Sequence, residues 1–116
     1  MEPWKIHVRN KRNYDGEGVY VGRPTALGNP FRIGRDGSRA EVVEKYREWL
    51  CEGLRGDNPC TAMFADLFDQ VSETGELTLI CWCAPEECHA DVIREFLMEA
   101  WRQLNDEEVK ERADDE

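Results

Sequence analysis

A chain of 116 residues suits one domain with a single modest core. No apolar run approaches the roughly 20 residues of a membrane span, and the N-terminus lacks the apolar stretch of a signal peptide, so we expect no membrane association and a cytoplasmic location. The net charge of −10 argues against broad nucleic-acid binding, which draws on many phosphate contacts.

The charge is unevenly spread along the chain. Residues 1–39 hold eight Lys and Arg against four Asp and Glu, whereas residues 40–104 hold five against fourteen. The basic first third therefore favours one small anionic ligand held by a few arginines.

Two short strands are predicted near the N-terminus. Lys5–Arg9 alternates polar and apolar residues, and Val19–Val21 is rich in β-formers and ends at Gly22. The polar, turn-rich segment between them reads as a loop.

The segment Gly22–Phe31 contains two Gly, two Pro and one Asn, which favours a rigid, irregular loop. In a ligand-holding loop, Gly22 would allow close approach, Arg23 would grip an anion and Asn29 would orient the ligand. The alternative is a tight corner in which Phe31 plugs the core and Arg23 pairs with a surface carboxylate. Turn residues alone do not separate these two interpretations.

Helical periodicity predicts three helices. Ser38 and Glu41 have the spacing of a capping box, which starts the first helix, and the N-terminus with Ser38 and Arg39 is a second place that suits an anion. Thr61 is the expected cap of the second helix, and the third helix follows from Ala90.

The segment Glu76–Cys83 reads as a strand that is apolar almost throughout, as in a sheet covered on both faces. In such a strand Cys81 and Cys83 share one face and Trp82 points the opposite way. The predicted fold is a single Rossmann-like α/β domain over residues 1–104, in which a mainly parallel (mixed) sheet of three to four strands is packed by three helices. Residues 105–116, with seven acidic residues, are expected to be a frayed or disordered tail.

Three of the five cysteines and one of the two histidines fall within nine residues. In a cytoplasmic chain an odd number of cysteines points away from a disulfide framework. Cys81, Cys83, Cys88 and His89 could supply four ligands to Zn²⁺, which would make the domain a zinc-stabilised, non-catalytic interaction module. The spacing is not that of a common zinc module.

Two other interpretations fit the same residues. Cys88, at a helix N-terminus beside His89, would have a depressed pKa and serve as the thiol of an enzyme or redox protein. Alternatively, the strand-to-helix turn is the floor of a ligand pocket, in which His89 and Asp91 make polar contacts or do acid–base work.

The motifs together resemble one family, called domain of unknown function 4326, from about Val19 to Leu97. The resemblance implies an intracellular protein of bacteria or of phages, which would place a phage-encoded copy in the host cytoplasm. It also implies that Arg23, Asn29, Cys83, Cys88, His89 and Asp91 belong to one site. The resemblance is carried by Val19–Pro24, Leu27–Phe31, Ser38–Arg39, Lys45–Leu50, Cys81–Pro85 and Cys88–Ile93.

We therefore expect the chain to bind a phosphorylated or nucleotide-like small molecule where Gly22–Phe31 meets Cys81–Asp91. Processing of that molecule at the same place is an extension of this hypothesis. Arg23 and Arg39 would hold the anion. The zinc module and the Cys88-dependent enzyme are the alternatives.

Overall fold

The computed structural model describes the backbone of residues 2–84 and 86–114, and side chains as far as Asn105. It contains one three-stranded sheet and three helices, which confirms the predicted α/β class. The elements are strands β1 (Lys5–Asn10), β2 (Val19–Tyr20) and β3 (Glu76–Cys81), and helices α1 (Arg39–Gly53), α2 (Pro59–Thr74) and α3 (His89–Asp114).

The three strands are parallel and stand in the order β1-β3-β2, as expected for a mainly parallel sheet. β1 pairs with β3 along all of its length, whereas β2 pairs only through Val19 and Tyr20. Because β2 and β3 are neighbours, the segments that follow them leave the same edge of the sheet side by side.

The central strand is more buried on one face than on the other. Alternate residues of β3 beginning with Leu77 are buried, whereas Thr78 and Ile80 are partly accessible. The sequence predicts a strand that is covered on both faces. On the less buried face, the chain that enters β2 packs against the strand. A Cβ on Gly18 would lie only 2.9 Å from Ile80 Cδ1, which shows how closely this segment packs.

Helix α1 begins at the predicted capping box. The Ser38 hydroxyl accepts from the Glu41 N–H at 3.3 Å, and the Glu41 carboxylate accepts from the Ser38 N–H at 3.1 Å. Helix α2 begins three residues earlier than expected, because Asn58 is its cap and Pro59 follows in the first turn. The predicted cap, Thr61, instead donates its backbone N–H to the Asn58 side chain.

The core lies between the helices and the buried face of the sheet. Each helix contributes large side chains with almost no solvent exposure. The most deeply buried helical residues are Tyr46, Leu50, Leu67, Val71, Val92, Ile93 and Leu97.

Helix α3 runs past the predicted boundary at residue 104. The side chains of residues 106–116 lie outside the described residues, so the acidic tail over 105–116 stays a prediction. Among the helices of the described ranges, none combines the length and the apolarity that crossing a membrane requires.

Candidate functional site

A cleft of about 630 Å³ lies beyond the carboxyl ends of β2 and β3. Residues of Gly22–Phe31 and of Cys81–Asp91 meet in it, together with the start of α1. Known small-molecule sites are roughly 300–1,000 Å³ in volume, so the cleft has the right size for a ligand. Its lining residues are Tyr20, Arg23, Asn29, Phe31, Arg32, Ile33, Arg39, Val42, Val43, Trp82, Cys83, Glu87, Cys88 and His89.

Tight packing sets the backbone of the loop that carries Arg23. Two hydrogen bonds of 2.9 Å close successive turns within residues 22–28. A Cβ on Gly28 would lie 2.9 Å from Arg23 N, so the close approach requires Gly. Beneath the loop, the buried hydroxyl of Tyr46 donates to the Leu27 carbonyl at 2.7 Å, which ties the loop to α1.

The side chains of this loop do not match the tight-corner alternative. Leu27, rather than Phe31, is the fully buried apolar residue, and Phe31 is half-buried on the cleft wall. Asn29 lines the cleft as predicted. Its Oδ1 accepts from the Phe31 N–H at 2.9 Å, while its amide nitrogen donates to no residue that the structure describes.

Three arginines line the cleft, and they differ in whether they have a partner among the described residues. The Arg39 guanidinium donates to the Glu87 carbonyl at 3.1 Å and pairs with the Glu86 carboxylate at 2.9 Å, which fixes it to the β3–α3 connection. The side chains of Arg23 and Arg32 make neither a hydrogen bond nor an ion pair with any side chain or backbone group in the described ranges. They are the positive groups most available to a ligand.

His89 forms part of the cleft wall and is largely buried. Its Nε2 lies 2.8 Å from the Val21 carbonyl oxygen, which can only accept, so Nε2 carries the proton and Nδ1 is an acceptor. Burial lowers the pKa of His89, and the nearby charge of Arg23 acts in the same direction. The imidazole is therefore neutral at pH 7.

Three thiols lie together beside the cleft, and the S–H of Cys88 donates to the sulfur of Cys81. Cys81 and Cys88 are buried with their sulfurs 3.5 Å apart, whereas Cys83 is half-buried. Hydrogen bonds to Cys81 and Cys83, with burial, raise the pKa of Cys88, so this thiol keeps its proton. The Cys88 S–H lowers the pKa of Cys83 to about 6, and the Arg39 guanidinium adds to the effect.

The depressed pKa predicted for Cys88 is therefore wrong, because the Cys88 sulfur is a proton donor inside a buried cluster. The same S–H also lowers the pKa of Cys81, but Cys81 has no exposed surface. Cys83 is the thiol of this group that combines a lowered pKa with access from the cleft.

Four of the predicted site residues do not line the cleft, and one of them is the buried Cys81. The Asp91 carboxylate accepts from the Cys88 N–H at 3.0 Å and from Arg94 at 3.2 Å, so it caps and braces the start of α3. The Ser38 hydroxyl is occupied by the capping box, and Gly22 is buried beneath the cleft. These residues shape the site without facing it.

The four candidate zinc ligands do not converge. The Nε2 of His89 is engaged by the Val21 carbonyl. In residues 2–84 and 86–105, no three or more His, Cys, Asp or Glu side chains are arranged to hold a metal ion.

Trp82 and Arg32 line the cleft but were not among the predicted site residues. Strand alternation beyond Cys81 places Trp82 opposite Cys83, but β3 ends at Cys81, and both residues then reach the cleft. The exposed position of a large aromatic residue next to the cysteine cluster was the signal available for Trp82. For Arg32, the only signal in the sequence was its position directly after Phe31, at the end of the predicted loop.

The chain belongs to the family described as Domain of unknown function (DUF4326), whose sequence profile matches residues 6–99. The resemblance seen in the motifs is thereby confirmed. No curated protein and no solved structure matches the chain.

Proposed function

We propose that the protein binds a phosphorylated small molecule in the cleft, with the phosphate held by Arg23 and Arg32. The observation that carries the proposal is the absence of carboxylate partners for these two side chains within the described residues. The chain has a net charge of −10, and most arginines of the described residues pair with carboxylates; Arg9 and Arg12 do not, but neither of them lines the cleft. Those with such partners are Arg35, Arg39, Arg47, Arg55, Arg94 and Arg102.

Arginine is suited to this role because its planar guanidinium can donate two parallel hydrogen bonds to phosphate oxygens. Arg23 and Arg32 both line the cleft and have no acceptor among the described residues, so a bound anion would supply the missing acceptors. Arg39 adds a third positive charge to the wall, although its Glu86 partner offsets part of it.

The position of the cleft supports the same proposal. In open parallel sheets, ligands bind beyond the carboxyl ends of the strands, where loops lead into helix N-termini. Here the loops after β2 and β3 both contribute, and Arg39, Val42 and Val43 bring the first turns of α1 to the wall. The positive end of the helix dipole adds to the attraction of an anion.

Calorimetric titration with a panel of sugar phosphates and nucleotides, each beside its dephosphorylated counterpart, tests the proposal. We expect binding that requires the phosphate and that weakens about tenfold or more in Arg23→Ala or Arg32→Ala, since a hydrogen bond to a charged group contributes about 1.5–3 kcal/mol. Arg55→Ala is the matched control, because Arg55 is exposed, pairs with Glu52 on α1 and does not line the cleft. Equal binding with and without phosphate would contradict the proposal.

Processing of the ligand by a thiol is a second candidate function, and the observation that favours it is the placement of Cys83 on the cleft wall beside Arg39. Fast alkylation of Cys83 that a bound phosphorylated ligand blocks would support it. Stoichiometric zinc in tag-free protein, with unfolding by a chelator, would favour the zinc-stabilised module instead.

A further inference from the structure

Two of the large apolar side chains left exposed by the fold stand at the same cleft. Within the described ranges, the exposed large hydrophobic residues are Ile33 at 53%, Trp82 at 50% and Leu104 at 46%. Ile33 and Trp82 line the cleft beside the arginines, whereas Leu104 lies on α3. A phosphate alone would leave these apolar side chains exposed, whereas a ligand with an apolar part would bury them.

Trp82 is held in a defined orientation. Its indole N–H donates to the Tyr20 hydroxyl at 3.0 Å, and the Tyr20 hydroxyl donates to the Arg23 carbonyl at 2.7 Å. The backbone carbonyl of Trp82 accepts a hydrogen bond from the Asn10 side chain at 3.1 Å. The ring is thus fixed before a ligand arrives, which reduces the entropy lost on binding.

The same hydrogen bonds set the distance between the aromatic ring and the arginine loop. Only the Tyr20 hydroxyl separates the indole nitrogen from the backbone of Arg23. Trp82 and Arg23 also line the same cleft, so one small ligand can contact both residues.

The surroundings of Trp82 are positive. Lys11 Nζ lies 5.5 Å from the indole centroid and 4.8 Å from the Tyr20 ring, and Arg12 Cζ lies 5.9 Å from the indole. Neither cation lines the cleft, so they support the aromatic pair from outside it. An aromatic platform within a patch of cations is the pattern by which proteins stack nucleobases.

We propose that the ligand is a nucleotide whose base stacks on Trp82 while its phosphate lies on Arg23 and Arg32. This inference rests on the proposed phosphate site and adds the chemical class of the ligand. It also assigns Trp82 as the residue that distinguishes a nucleotide from a sugar phosphate.

The test compares the four common nucleoside 5′-monophosphates with ribose 5-phosphate on wild type, Trp82→Ala and Trp82→Leu. We expect at least one nucleotide to bind about tenfold or more tightly than ribose 5-phosphate, as one stacked base contributes on this scale. Both variants should lose that advantage and leave ribose 5-phosphate binding within about twofold of wild type. The leucine variant keeps apolar volume, so a folded protein remains available if the alanine variant unfolds.

Tryptophan fluorescence gives an independent readout. The nucleotide should quench tryptophan emission in wild type but not in Trp82→Phe. The control is Trp4→Phe, because the Trp4 indole packs on Phe68 away from the cleft, and this variant should still be quenched. Tyr20→Phe removes the hydroxyl that bonds the Trp82 indole but keeps the aromatic rings at positions 20 and 82. It should therefore weaken nucleotide binding less than Trp82→Ala does.

The outcomes separate the two proposals. If nucleotides and ribose 5-phosphate bind wild type equally and Trp82→Ala changes neither, the base-stacking inference is overturned while the phosphate site stands. If no phosphorylated compound binds wild type, both proposals fail.

Discussion

Replacing Gly28 with Ala tests whether the backbone of the loop sets the position of Arg23. The added Cβ would lie 2.9 Å from Arg23 N, 3.0 Å from Arg23 Cα and 3.1 Å from Gly22 C. All three are backbone atoms, so no side-chain rotation can relieve the overlap. The two limbs of the loop must move apart.

The size of the effect follows from these distances. Ordinary Cβ contacts begin at 3.4 Å, so a shift of about 0.5 Å is needed. Overpacking of this kind costs about 1–3 kcal/mol. In a domain of this length that lowers Tm by about 4–12 °C. The shift should also move Arg23 away from Arg32. Binding of a phosphorylated ligand should then weaken about tenfold, which corresponds to the loss of one charge-assisted hydrogen bond.

Thermal denaturation followed by circular dichroism, with calorimetric titration of the folded variant, measures both effects. Gly53→Ala is the control, because its Cβ would meet only Cys60 Sγ at 3.7 Å near the end of α1. That variant should be as stable as wild type or more stable by up to about 1 kcal/mol. A Gly28→Ala protein with wild-type Tm and affinity would refute the packing argument.

Three further predictions concern buried polar groups. Tyr46→Phe leaves the Leu27 carbonyl without its donor and should lower the free energy of unfolding by about 1–3 kcal/mol in urea titrations. Alkylation of Cys83 by iodoacetamide, followed by mass spectrometry, should reach half its maximal rate near pH 6 and shift to higher pH in Cys88→Ala, because the Cys88 hydrogen bond is the main cause of the lowered pKa. His89 has a lowered pKa in the fold, so the unfolded chain binds its proton more readily. Its contribution to stability should be complete above the ordinary His pKa and decrease as the pH falls below it, and urea titrations should find this dependence weaker in His89→Gln.

Each of these predictions has a contrary outcome. A Tyr46→Phe protein as stable as wild type would mean that the Leu27 carbonyl finds another donor. A Cys83 pH profile unchanged by Cys88→Ala would remove the assigned hydrogen bond. An unaltered pH dependence in His89→Gln would show that His89 does not titrate on unfolding.

The elements of the fold could be predicted because each has a local signal. The capping box at Ser38 marks the start of α1, and the apolar run ending at Cys81 marks a central strand. The start of α2 was misplaced because Asn58 and Thr61 are both capping residues, and only the following Pro59 favours the first. Strand order could not be predicted, because it depends on contacts between segments far apart in the chain.

The two segments that meet at the cleft could be predicted from the sequence, whereas the arrangement of their side chains could not. Arg23, Asn29 and His89 line the cleft as expected, since loops after parallel strands meet at one edge of the sheet. The pKa of Cys88 could not be predicted from its helix position, because two other sulfurs decide it. Alternation of side chains along a strand predicts Trp82 on the face opposite Cys83, but β3 ends at Cys81, so the rule does not apply to Trp82.

The two halves of the cleft are joined by hydrogen bonds that cross between them. The His89 imidazole donates to the Val21 carbonyl, and the Trp82 indole donates to the Tyr20 hydroxyl. Each bond links a residue that follows β3 to the segment at the end of β2. A ligand that engages both halves therefore meets a single preformed wall, and a change that frees His89 should loosen the start of the Arg23 loop as well.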